Sequence, residues 1–146
     1  MNKNMLFTRL ILPVFTLGLI MSQPAIADDD KKDTPLGKSM EEASDALKSL
    51  RKIDKNDWAA GAEAARKAAD GIRKGMEYIP ALVKDMKDGK EKTKAIADYR
   101  RLLGLSYADL CELELAYLEE DQGKVDAAMK KIKATKKEGH KKYEDD

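Results

Sequence analysis

The chain of 146 residues holds one cysteine, one histidine and one tryptophan. Cys111 therefore forms no internal disulfide, and it reads as a small residue at or near a core. With one histidine, one cysteine and no glycine-rich loop, neither a catalytic triad nor a nucleotide site assembles from recognisable parts, and the chain does not read as an enzyme. Charge of one sign is also missing: 28 basic against 27 acidic residues leave +1, which implies neither a nucleic acid nor an acidic membrane as partner. β-Branched residues are few and no stretch alternates with period two, so strands are not expected. There is a single long apolar run, Leu10 to Met21, and its 12 residues fall short of the roughly 20 that a membrane-spanning helix needs.

That run sits in a recognisable frame. Lys3 and Arg9 precede it, Ala25-Ile26-Ala27 is a small-x-small cleavage sequence, and Asp28-Asp29-Asp30 follows. The pattern predicts a signal peptide over 1–27, cut after Ala27, and a protein exported to the periplasm with no membrane span after cleavage. Removal leaves 119 residues and shifts the formal charge from +1 to −1. A chain of that length forms one domain that buries roughly two-thirds of its unfolded surface. Residues 28–33 are charged throughout and read as a flexible tail.

From Thr34 onward the apolar residues keep helical spacing. Leu36, Met40, Ala43, Leu47 and Leu50 step by four and three, with Thr34 as cap and Pro35 at the first helical position, so a first helix is expected to about Ile53. Asn56 or Asp57 caps a second helix carrying Trp58, Ala62, Ala65, Ala69, Ile72, Met76 and Ile79, ended by Pro80. Ala81 to Lys90 is a connection broken at Gly89. A third helix is expected from about Glu91 to Glu120, then a turn at Asp121-Gln122-Gly123, then a fourth helix from Lys124 to about Tyr143. Short turns between long amphipathic helices predict an all-α fold, an antiparallel up-down-up-down four-helix bundle over 34–146.

In such a bundle the first and last helices are neighbours, which brings Met40 and His140 to the same end. A thioether and an imidazole are the pair that fills both axial positions of haem iron in Met/His cytochromes, an arrangement suited to electron transfer. Each residue also has a plainer reading: methionine as core filling, histidine as a surface or capping residue at a helix C-terminus. Soft thioether with imidazole also suits copper(I), with Met76 or Met129 as further donors, although no other such residues cluster with the pair in sequence. The lysines of the last helix, Lys130, Lys131, Lys133, Lys136, Lys137, Lys141 and Lys142, read as a solvated face or as a basic end that steers an acidic partner.

These residues also carry a resemblance. The segment Thr34-Pro-Leu-Gly-Lys-Ser-Met40-Glu-Glu-Ala-Ser-Asp-Ala-Leu47-Lys48 resembles the first helix of the soluble cytochrome b562 family. Gly123-Lys124-Val125 and Ile132-Lys-Ala-Thr-Lys-Lys-Glu-Gly-His140-Lys-Lys-Tyr143 are similar to that family's last turn and closing helix. The likeness spans the chain after the signal peptide in length and helix order. It implies that Met40 and His140 ligate a non-covalent haem b and that the protein carries single electrons to a redox partner protein whose identity is open. Phenylalanines that the best-known member sets against the haem are matched here by Leu102 and Ser106. Without Cys-x-x-Cys-His, covalent haem attachment is excluded. The competing expectation is a haem-free helical bundle of the cell envelope, acting as a binding or structural protein.

Overall fold

The structure is a computed structural model that describes residues 33–143. The expected signal peptide over 1–27, and the charged tail apart from Asp33, lie outside the described residues. Every regular element described is an α-helix: α1 (Pro35–Ser49), α2 (Trp58–Gly75), α3 (Ala81–Lys84), α4 (Lys90–Leu118) and α5 (Gln122–Tyr143). Four of them have 15 residues or more, and α3 is a single turn.

Local chemistry sets the helix ends. The Thr34 hydroxyl accepts a hydrogen bond from the Gly37 amide at 2.9 Å, with Pro35 inside the first turn where its missing N–H costs nothing. The Asp57 carboxylate caps α2 by accepting from the Ala60 amide at 3.0 Å. Gly89 enters α4 at φ 146°, a conformation that a side chain would strain. The helices α1 and α2 stop earlier than the apolar spacing predicts, at Ser49 rather than Ile53 and at Gly75 rather than Ile79. After Gly75 the chain tightens into a turn, with the Tyr78 amide donating to the Gly75 carbonyl at 3.1 Å.

The reversal between α4 and α5 also differs from the sequence expectation. It turns on Glu120, which has φ 55°, while Gln122 and Gly123 already belong to α5. The Asp121 amide donates to Ala116 and the Glu120 amide to Tyr117, both at 3.1 Å, closing a Schellman motif. Asp121 then accepts from the Lys124 amide at 3.0 Å and starts α5.

The helix α1 packs on α2, α2 on α4 and α4 on α5, whereas α3 touches α4. The central core joins Ala65, Ala68 and Ala69 of α2, Leu110, Leu113 and Ala116 of α4, and Val125, Ala128 and Ile132 of α5. Leu110 and Leu113 are fully buried, worth about 1.5–3 kcal/mol each in apolar transfer. Only the second half of α1 reaches this cluster, through Ala46, Leu47 and Leu50. Its first half lies on α2, where Gly71 meets Ser39 and Ala43 and Gly75 meets Met40 and Leu36. The helices α1 and α5 share no extended interface, in contrast to the side-by-side packing expected of first and last helices. Two glycines on α2 let the first half of α1 settle closely there. No helix of the described residues is long and apolar enough to cross a membrane.

Candidate functional site

Met40 is half-buried on α1, in its second turn. Its Cε methyl is seated against Gly75, in space that a side chain at 75 would occupy, with Ser39 and Leu36 alongside. Seating the methyl fixes the end of a flexible chain. The sulfur is the ligating atom of a thioether, so a held methyl does not remove its donor capacity.

His140 is exposed in the last turn of α5, between Lys136 and Tyr143. Ion pairs beside it tie α5 to α4. The Asp98 carboxylate accepts from Lys142 Nζ at 2.9 Å, from Arg101 Nε at 2.9 Å and from the Tyr143 hydroxyl at 2.9 Å. Glu138 joins Lys142 at 2.9 Å and Arg101 at 3.2 Å. Lys142, Arg101 and Tyr143 together hold the Asp98 carboxyl well below the usual carboxylate range. Behind this network the Tyr143 and Tyr99 rings meet edge to face, centroids 5.3 Å apart, and burial pushes the Tyr99 hydroxyl up to about 12.

The pairings along neighbouring helices fix the height of each candidate. Tyr117 of α4 lies on Gly61 of α2, and Tyr107 lies within electrostatic reach of Arg73 and Asp70, so α2 and α4 run in opposite senses. Gly75, and Met40 with it, therefore stands level with the α4 residues just before Tyr107. His140 lies between Glu138 and Lys142, whose partners are Arg101 and Asp98 of α4. The structure thus brings Met40 and His140 to the same end of the molecule, within about one to two helical turns in height. It does not join them through a shared helix interface, because α1 and α5 lack one.

The other candidates are scattered. Cys111 is half-buried against the core, with Tyr107 beside it. Met129 is packed on the core and Met76 caps the end of α2. No group of three or more His, Cys, Asp or Glu suited to a metal ion occurs among the described residues. The Asp98 network went unseen in sequence, since 44 residues separate Asp98 from Lys142. The one available signal was the heptad step from Asp98 to Leu105 to Glu112 on α4, which puts two acids on one side of that helix.

Fold and site together define an all-helical protein with a thioether and an imidazole at one end. No family model matches the chain, and neither do any curated protein or solved structure.

Proposed function

We propose that the protein is a periplasmic b-type haem protein of the cytochrome b562 kind, in which Met40 and His140 would hold the haem iron. On this reading the long helices run up-down-up-down, which would set α1 and α5 on the two sides of a last seam. The observation that carries the reading is that α1 and α5 bear Met40 and His140 at one end of the long helices. A thioether and an imidazole fit the iron of such a group in type.

Held by Met40 and His140, the haem would supply one-electron transfer. The chain's own residues do the rest. Gly75 positions the Met40 methyl, and the Asp98 network with Tyr143 holds the last turn of α5, on which His140 is carried. Lys136, Lys137 and Lys141 at that end of α5 are exposed and would attract an acidic redox partner, an attraction that weakens with salt.

The experiment is expression with haem supplied, followed by the visible spectrum of the parent, Met40→Ala and His140→Ala. Sharp six-coordinate ferrous bands in the parent, lost in both variants, support the reading; a parent without them sinks it. A haem-free helical binding or structural protein is the second reading. Two observations favour it: Met40 is already packed against Gly75, and Tyr99 with Tyr143 closes the core at that end. It requires equal melting temperatures with and without haem. A ligand specific to the folded state adds about 2.7 kcal/mol at a hundredfold excess over its dissociation constant.

A further inference from the structure

Gly139 interrupts the apolar stripe of α5. Val125, Ile132 and Gly139 fall at successive heptads, and the first two are buried in the core. Gly139 is half-buried on that same side of the helix, yet a Cβ there would meet nothing within 4 Å. The glycines of α2 are the opposite case: at Gly61, Gly71 and Gly75 a Cβ would stand under 3.0 Å from a neighbour, so close packing accounts for them. Neither a contact nor a positive φ calls for glycine at 139, and glycine is among the poorest residues inside a helix. The core stripe of α5 thus has an open place between Ile132 and Tyr143.

That place adjoins the proposed site. The residues of α5 that reach α4 are Lys131, Thr135, Glu138 and Lys142, through Glu112, Asp109, Arg101 and Asp98. At about 100° per residue they lie to one side of the stripe of Val125, Ile132 and Gly139. His140 lies to the other side, in one row with Met129 about three turns earlier. The opening is therefore next in the chain to the imidazole, at the end of the molecule that carries the Met40 thioether.

We propose that Gly139 is the clearance residue of the haem site, an inference that rests on the haem reading. With no side chain at 139, a flat ring held through His140 has room against the inner side of α5. A ring ligated by an imidazole stands one side-chain length off its helix, so it spreads over the inward residues beside the ligand. Leucine at 139 would continue the stripe of Val125 and Ile132 and occupy that room. Two demands on this position are opposed, since a side chain favours the helix and excludes the ring.

Two measurements on the purified protein separate them: urea unfolding without haem, and haem titration followed by the visible spectrum. Gly139→Ala and Gly139→Leu are expected to raise the haem-free urea midpoint at an unchanged m value, because the added atoms enter open space. Gly139→Leu is expected to raise the haem dissociation constant at least about tenfold, with Gly139→Ala between it and the parent. Gly104→Ala is the control: a Cβ at 104 also meets nothing within 4 Å, but Gly104 shares its row on α4 with exposed Arg100 and Ala108. It raises the midpoint as Gly139→Ala does and leaves haem affinity at the parent's value. Stability and affinity that move in opposite directions at 139 exclude misfolding as the cause. A parent that binds no haem overturns the haem reading and this inference with it. Haem bound by Gly139→Leu as tightly as by the parent overturns this inference alone, and so does a haem-free midpoint lowered by Gly139→Ala.

Discussion

Gly71 of α2 lies so close to Ala43 of α1 that a Cβ at 71 would stand 2.8 Å from the Ala43 amide nitrogen. It would stand equally close, 2.8 Å, to the Ser39 carbonyl oxygen. Both are backbone atoms, and neither gives way without moving the helix. At Gly75, one turn on, the opposing atom is the Met40 methyl, the far end of a flexible side chain.

The same substitution therefore has two outcomes. Gly71→Ala pushes α1 off α2 and costs about 1–3 kcal/mol as overpacking, outweighing the gain of up to about 1 kcal/mol in helix propensity. Gly75→Ala keeps stability within about 1 kcal/mol of the parent, because methionine can swing aside. Urea unfolding with an unchanged m value checks both, the first by a lower midpoint and the second by a retained one. On the haem reading, Gly75→Ala also displaces the thioether and weakens the sharp six-coordinate bands, an effect absent from a merely structural contact.

Acid stability follows from Asp98. Its folded-state pKa is depressed by hydrogen bonds from Lys142, Arg101 and Tyr143, so its contribution is complete above the unfolded value of about 3.9. That contribution is lost as pH falls through the lower folded value. The carboxylate is about one-third exposed, at 32%, which screens the pairs and limits Asp98→Asn to about 0.5–1 kcal/mol at neutral pH. Unfolding midpoints across pH are expected to converge for the parent and Asp98→Asn below about pH 4. They are expected to draw closer in high salt as well.

The alkaline limb follows from Tyr99. Burial raises its hydroxyl to about 12, above the unfolded value of about 10, so the folded state favours the protonated form. Stability from this group is intact below about pH 10 and is lost as pH rises from there through about 12. A tyrosinate absorbance titration is expected to show a late component that Tyr99→Phe removes, together with a shallower alkaline fall in melting temperature.

The helices were legible in sequence because steps of three and four residues name an apolar face, and Thr34 and Asp57 name its start. Periodicity does not say which helix covers that face. The seat of α1 on α2 depends on Gly71 and Gly75, whose meaning appears only when Ala43 and Met40 stand opposite them. Glu120 shows the limit of composition as a guide to turns. Gly123 looked like the reversal, yet three hydrogen-bonded residues around a glutamate at φ 55° make it. At the candidate site, Met40 and His140 stood out by residue type and resemblance. The lysines of α5 read as a solvated face or a basic end, and the fold adds which acids meet them: Lys124, Lys131 and Lys142 each have an acid of the α4 arm 5 to 44 residues away.

Every buried residue of α2 is an alanine or a glycine: Gly61, Ala62, Ala64, Ala65, Ala68, Ala69, Gly71 and Gly75. Such a surface has almost no atoms to give up, so mutation there can move in one direction only, towards larger side chains. Any lineage that enlarges one of these positions has to find the room elsewhere, by trimming Tyr117 opposite Gly61 or Met40 opposite Gly75. The sequence history of α2 is therefore tied to that of its neighbours, and its own freedom to vary lies on the solvent side.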